Sequence, residues 1–326
     1  MKVSQSQIAE DLGLSVITVS RALRGHPDLA EATKARVLNR AKEMGYSRLR
    51  AAKGGAAAIR VGILLYHEAE ETDPLASGIK RILFAEIQRE CRKLNVETIV
   101  EMPLLNERSQ LIGNRAITAA FLLGRYTPEV TSLLAEIPVL AVSSYIQGSG
   151  LPRVTADNLN GMCQATEHLI GLGHKRIVFL GMDDPRTRLH RDRARGYLVA
   201  MHEAGLKPEI HFCGNFASDI DAVLEARSKP TALACASDAF AFAVYDRLKE
   251  KGWRIPEDCS LVSFDGLVSD IANRYQLTTY APDWALMGRL AATLLVSQPH
   301  LLQGNEVVAT VPGTMILRTS TGSPKG

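Results

Sequence analysis

The 326-residue sequence predicts a small helical head joined by a short linker to an α/β core of two open, doubly wound parallel sheets. Three observations lead there. Near the N-terminus the apolar residues recur at helical spacing. From Arg60 onward they gather into short continuous runs, Val61-Gly62-Ile63-Leu64-Leu65 being the first. Strand-like runs then alternate with amphipathic helices, and the alternation restarts near residue 157. A continuous apolar run fits a strand buried on both faces of a parallel sheet, and regular strand–helix alternation fits a doubly wound fold.

The head occupies residues 1–46. Ser4 is placed to cap a first helix, with Gln7 three residues on to complete a capping box. Ile8 and Leu12 share one face, Gly13 supplies the positive φ of a sharp turn, and Leu14 drops into the core. Ser15 caps a second helix whose Val19 and Leu23 point inward, leaving Val16, Ile17, Ser20 and Arg21 outward. Two short helices with this turn form a helix-turn-helix, in which the second helix enters the major groove of DNA. Arg24-Gly25-His26-Pro27 reads as a turn. Glu31 through Met44 reads as a third helix ending at Gly45, its stripe of Val37, Leu38, Ala41 and Met44 closing the core.

Charge follows the same division. Residues 1–58 hold ten Lys and Arg against five Asp and Glu, a net of +5, while the whole chain is +3, so the remainder carries −2. A basic module on a slightly acidic body suits phosphate contact by the head alone. The apolar content of 46% is ordinary for a globular protein, and no apolar run approaches membrane-spanning length. Without an apolar leader, the expected compartment is the cytoplasm. The five cysteines (Cys91, Cys163, Cys213, Cys235, Cys259) are odd in number and scattered, so reduced buried thiols are expected. Neither they nor the eight histidines show ligand spacing, so no metal or cofactor is expected.

In the core, the expected order opens with the strand near 61–65, a long helix over about 75–94 and a strand over 96–100. A short helix near 107–112, a strand over 117–123, a helix over 128–136 and a strand over 139–142 follow. After the restart come helices over 159–171, 190–204, 218–226 and 239–251, interleaved with strands over 177–180, 209–213, 232–236 and 260–264. Residues 286–296 form a further helix, and Val307–Arg318, holding Pro312-Gly313, provides one or two edge strands. Two tandem α/β halves imply two lobes, about 60–156 plus 282–304 and 157–281 plus 305–326, with a ligand cleft between their strand ends.

The run Ile8-Ala9-Glu10-Asp11-Leu12-Gly13-Leu14-Ser15, then Thr18-Val19-Ser20-Arg21-Ala22-Leu23, Gly25-His26-Pro27, Thr33-Lys34-Ala35-Arg36-Val37 and Met44-Gly45-Tyr46, closely resembles the DNA-binding head of the lactose/galactose repressor family of bacterial transcriptional regulators. The body resembles it in order too. Asp157-Asn158, Leu172-Gly173-His174-Lys175-Arg176, Arg193 with Gly196-Tyr197, Ser263-Phe264-Asp265, Leu277-Thr278-Thr279 and the ending Leu317-Arg318-Thr319-Ser320 all match. The first lobe is the weakest part. The resemblance implies a periplasmic-binding-protein-like core, a homodimer, a near-palindromic operator in double-stranded DNA, and a small-molecule effector, with a carbohydrate ahead of a nucleobase or nucleoside. It also implies departures. Ala30 stands where a serine usually caps the third helix, leaving Asp28 as a cap at a shifted boundary. In the linker, residues 47–59, Arg48-Leu49 replace the usual Pro-Asn, and Gly54-Gly55 stand where relatives place a minor-groove leucine wedge. Adjacent glycines oppose a stable hinge helix.

Candidate DNA contacts are therefore Ser4, Ser15, Val16, Ile17, Thr18, Ser20, Arg21, Arg24, Arg48 and Arg50. Arg21 can fork onto a guanine or a phosphate. Val16 and Ile17 are either a misphased core pair or, preferred here, apolar contacts for thymine methyls. Ser4, Ser15 and Thr18 suit caps, phosphates or both. The resemblance places effector contacts at Ser143, Arg193, Phe216, Ser237, Asp265 and Trp284. An arginine fork clamps hydroxyls or a carboxylate, and a carboxylate accepts from hydroxyls. An Arg193–Asp265 salt bridge in the empty state and Trp284 as plain core are the competing structural roles. No nucleophile–base pair or phosphate loop emerges, so the function expected is regulated DNA binding rather than catalysis. A bilobed solute-binding or sensor protein is the second reading, but the basic head argues against it.

Overall fold

The computed structural model describes residues 4–23, 29–44, 60–71, 73, 75–76, 78–134, 137–143, 149–182, 188–267, 274–302 and 306–325. The head comprises α1 (Gln5–Leu12), α2 (Val16–Leu23) and α3 (Glu31–Glu43). Ile8, Ala9, Val19, Ala22, Leu23, Val37 and Ala41 form its small buried core. Leu38, expected in that core, is instead half exposed. The α3 helix begins at Glu31 with Ala30 giving only its carbonyl, to the amides of Thr33 and Lys34; Asp28 lies outside the described residues. Arg40 on α3 grips the Asp11 carboxylate of α1 through two nitrogens, at 2.5 and 2.9 Å. The linker, residues 47–59, with its glycine pair also lies outside the described residues.

The core is two six-stranded sheets. The first is built from β1 (Arg60–Tyr66), β2 (Glu97–Glu101), β3 (Ala119–Gly124), β4 (Val139–Val142), β5 (Arg153–Ala156) and β11 (Val308–Val311), ordered β11-β5-β4-β3-β1-β2 and parallel throughout. Helices α4 (Gly78–Lys93), α5 (Gln110–Gly113) and α6 (Pro128–Leu133) connect its strands. The second contains β6 (Ile177–Gly181), β7 (Ile210–Phe212), β8 (Ala232–Cys235), β9 (Ser260–Phe264), β10 (Thr278–Pro282) and β12 (Gly313–Ile316), ordered β12-β10-β9-β8-β6-β7. Only β12 runs antiparallel there, against β10. Around it stand α7 (Asn158–Gly171), α8 (Leu189–Glu203), α9 (Phe216–Leu224) and α10 (Asp238–Glu250), while α11 (Trp284–Ser297) packs against α4 of the first lobe. β1, β3, β4, β6, β8 and β9 are buried almost along their whole length, as their continuous apolar runs require.

Three features differ from expectation, the first being strand β10, since the sequence predicts no strand over Thr278–Pro282. The short strand β5 was not anticipated, because Arg153-Val154-Thr155-Ala156 is too polar to stand out as an apolar run. The C-terminal segment divides between the lobes: β11 pairs with β5 in the first sheet and β12 with β10 in the second. The first lobe therefore extends to Val311, beyond the residue 304 expected. Pro312, which has no N–H to give a ladder, sits at the crossing.

Among the described residues the chain passes between the lobes at Asp157, Asp283 and Pro312, each at the carboxyl end of a strand. The crossings are bonded side by side: the Asp157 amide donates to Val311 O at 3.0 Å and the Asp283 amide to Pro312 O at 3.0 Å. Asp157 and Asp283 then cap the helices they lead into, accepting from the amides of Asn160 and Leu286. These crossings bring the carboxyl edges of the two sheets to face each other. That edge is where open α/β sheets hold ligands.

Candidate functional site

In the head, Ser4 completes its capping box with Gln7, and Gly13 ends α1 at φ +65°. Ser15 Oγ accepts from the Thr18 amide at 3.0 Å and lies 2.8 Å from its hydroxyl, fixing the start of α2. Since Val19, Ala22 and Leu23 take the inward face, Val16 and Ile17 are left 45% and 67% exposed in the first turn. They are not a misphased core pair. Arg21 is exposed one turn further on, and Ser20 is half-buried beside it. The helix thus presents two apolar side chains, hydroxyls and a guanidinium on one outward surface. Arg24, Arg48 and Arg50 lie outside the described residues.

At the carboxyl edge of the second sheet, Arg193 is only 3% exposed. Its Nε donates to Asn158 Oδ1 at 2.8 Å, Nη1 to Ala236 O at 2.6 Å, and Nη2 stands 3.1 Å from Asp265 Oδ1. The guanidinium carbon lies 3.8 Å from the centroid of the Phe264 ring, a cation–π contact. Asp265, 7% exposed, follows β9 directly. Burial pushes its carboxyl up to about 7 against the lowering pull of Arg193, and nearby Asp238 adds to the rise. Asp238 is itself buried and accepts from Ser263 Oγ at 2.5 Å, Thr279 Oγ1 at 2.7 Å and the Leu267 amide at 2.7 Å. Burial raises its carboxyl too. Two carboxylates therefore share one guanidinium in a nearly dry cluster.

Ser237 is the N-cap of α10, its hydroxyl accepting from the Phe240 amide. Trp284 opens α11, and its indole N–H donates to Asp265 O at 2.7 Å, which makes it more than plain core. Phe216 is set apart, packed edge-on against Phe240 at 5.4 Å. Ser143 lies on the other lobe, at the end of β4 with φ +70°. Sequence reasoning missed Asn158, Asp238 and Phe264. The last two adjoin chosen residues, but only the tertiary fold brings Asn158 to Arg193. On the facing edge of the first sheet, Arg125 pairs with Glu68 at 3.0 Å, and both were missed as well. Two surface concavities of about 490 and 440 Å³, one beside Glu101 and Arg108, the other beside Trp253 and Pro324, lie away from this cluster. The polar side chains converge at Arg193 and Asp265 instead. Among the described residues no helix is long and apolar enough to cross a membrane.

Comparison with known proteins gives the same two parts. Residues 6–48 match the family model for bacterial regulatory proteins of the lacI family, and residues 166–321 match that for a periplasmic binding protein-like domain. The transcriptional regulator RafR of Escherichia coli is 33% identical over 292 residues, covering 82% of this chain and 83% of its own. The chain belongs to the LacI family. Catabolite control protein A of Priestia megaterium is 25% identical and is covered over its full length by 98% of this chain. A solved CelR–cellobiose complex and a lac repressor dimer bound to operator each match with a TM-score of 0.66 at 20% identity, covering 98% and 99% of this chain and 100% of theirs. These structures share the fold. This LacI-family protein is a transcriptional regulator with a ligand-binding core, and the relatives it matches are regulators, not enzymes.

Proposed function

We propose that this regulator is a cytoplasmic homodimeric repressor that binds a near-palindromic operator through α2, and that an uncharged carbohydrate between the lobes alters that binding. The observation that carries the reading is the outward face of α2. Its inward face is fully used, so Val16, Ile17 and Arg21 are held out in solvent by a capped, rigid helix. In the groove, Arg21 forks onto a guanine or phosphate, Val16 and Ile17 meet thymine methyls, and Ser4, Ser15, Thr18 and Ser20 reach phosphates. Arg24, Arg48 and Arg50 add phosphate contacts. Two heads on two-fold axes read two half-sites.

Electrostatics favour a neutral effector. The three guanidinium nitrogens of Arg193 already face Asn158, Ala236 and Asp265, and Asp238 adds a second carboxylate. A phosphate or carboxylate arriving at this cluster would meet two carboxyls and a guanidinium fork already committed to Asn158, Ala236 and Asp265. Sugar hydroxyls, in contrast, can donate to Asp265, with the hydroxyls of Ser237 and Ser143 as further polar partners and Trp284 as the aromatic face beside Asp265. Phe216, packed on Phe240, joins them only if the lobes close. The cellobiose in the CelR complex supports this class. Binding one lobe arrangement better than another shifts the heads by the difference in affinity. A nucleoside effector is the second reading.

A thermal-shift screen of the full chain separates these classes, using cellobiose, raffinose and ribose against glucose 6-phosphate and adenosine. A neutral sugar at a hundredfold its Kd stabilises by about 2.7 kcal/mol. Stabilisation by the phosphate or the nucleoside alone would contradict the proposed class.

A further inference from the structure

Asp265 is held in an unusual backbone conformation, φ +133°, which costs a non-glycine residue roughly 1–3 kcal/mol unless its surroundings enforce it. Four bonds enforce it. The Asp265 amide donates to Tyr280 O at 2.9 Å, the Gly266 amide to Thr279 Oγ1 at 3.3 Å, and the Leu267 amide to Asp238 Oδ2 at 2.7 Å. These three lie within the second lobe. The fourth, from the Trp284 indole N–H to Asp265 O at 2.7 Å, comes from α11, whose helix packs against α4, β3, β4 and β5 of the first lobe.

We propose that the Trp284 N–H is a positioning device that ties the effector-binding strand end of the second lobe to the α11–α4 pair of the first. The inference rests on the reading of Asp265 as an effector contact. The surrounding packing leaves little slack. Gly266 has φ +66°, and a Cβ there would stand 2.3 Å from the Ala281 Cβ, so the turn lies flush on the strand that runs into α11. The Leu267 side chain reaches within 3.7 Å of where a Cβ on Gly78, the first residue of α4, would sit. α11 and α4 cross so closely that a Cβ on Gly288 would meet the Glu86 Cβ at 2.6 Å. A displacement of Asp265 on ligand binding therefore pulls on the start of α11 and pushes at the start of α4. A buried indole N–H needs an acceptor. Phenylalanine at 284 would fill the space without the bond.

Hydrogen exchange read by mass spectrometry on the full chain, with no ligand or DNA present, tests this. In Trp284→Phe the amides of 262–267 and of 78–83 should both exchange roughly tenfold faster, with α8 and β6 unchanged. Gly266→Ala, which displaces the same turn from the other side, should give the same pattern. Exchange within twofold of the parent in both segments, or loosening of 262–267 alone, would overturn the coupling. In the unmodified chain, the indole N–H of Trp284 should exchange at least tenfold more slowly than that of Trp253, and equal rates would overturn it too. Neither measurement involves effector or operator, so their failure is distinct from failure of the proposed function.

Discussion

Replacing Arg193 by leucine should cost the protein far more than any surface substitution. The side chain is 3% exposed, gives three charge-assisted bonds and covers the Phe264 ring. Among the described residues, its loss leaves Asp265 buried beside Asp238 without the counter-charge that Arg193 supplies, and takes the Arg193 bond from Ala236 O. Breaking a buried pair from one side costs about 3–5 kcal/mol, and for a lobe of this size each kcal/mol lowers Tm by roughly 2–4 °C. The cost should depend on pH. Burial pushes Asp265 in the parent up to about 7, so at pH 8.5 it is mostly ionised there beside Arg193. In the variant the loss of Arg193 raises it further, and the chain must either bury a bare charge or hold a proton against the solution. At pH 5.5 it is protonated in both proteins, and the gap between them should shrink. Urea titrations at the two pH values, compared at equal slope, measure this. The double variant Arg193→Leu with Asp265→Leu should recover at least ~2 kcal/mol. A loss below ~1 kcal/mol at pH 8.5, or a gap that does not narrow at pH 5.5, would mean that Arg193 does not neutralise a buried Asp265.

Other outcomes follow from the same structure. Arg21→Ala should abolish sequence-specific DNA binding while leaving the thermal transition unchanged, since the side chain is exposed; footprinting of the variant checks it. Leu49→Ala should weaken operator binding much less than Arg21→Ala, as measured by fluorescence anisotropy, because the sequence has Gly54-Gly55 where relatives place the wedge leucine. Ser15→Ala removes the cap of α2 and should destabilise the head by about 1 kcal/mol, read from its urea midpoint by circular dichroism. His174 is buried between Thr231, Ser260 and Gly322, and burial holds its imidazole below the usual 6.5. The unfolded chain therefore binds the proton first, and His174's contribution is complete above pH 6.5 and lost as pH falls below it. His174→Gln should flatten that part of the stability–pH curve in calorimetry.

Much of the fold was legible because burial on both faces leaves a plain signal. Runs such as Val61–Leu65 and Leu261–Phe264 can hardly be anything but buried strands, and Ser4, Gly13 and Ser15 mark the head helices by cap and turn chemistry alone. The division of the C-terminal segment was not legible. Val308–Val311 and Gly313–Ile316 differ little in character, and which sheet each joins depends on crossings set by Asp157 and Asp283. At the site, Arg193 and Asp265 could be picked out, but their environment could not. Asn158 lies 35 residues from Arg193 in the chain. The bond from Trp284 uses a backbone carbonyl, which no side-chain pattern encodes.

The most direct test of the central claim is selection of DNA from a random pool by the full chain, repeated across salt concentrations. The selected pool should converge on a near-palindrome whose half-sites lie about one helical turn apart. Affinity for that sequence should fall steeply with salt, and enrichment should be lost in Arg21→Ala. A pool that never converges, or one that converges equally with Arg21→Ala, would contradict it.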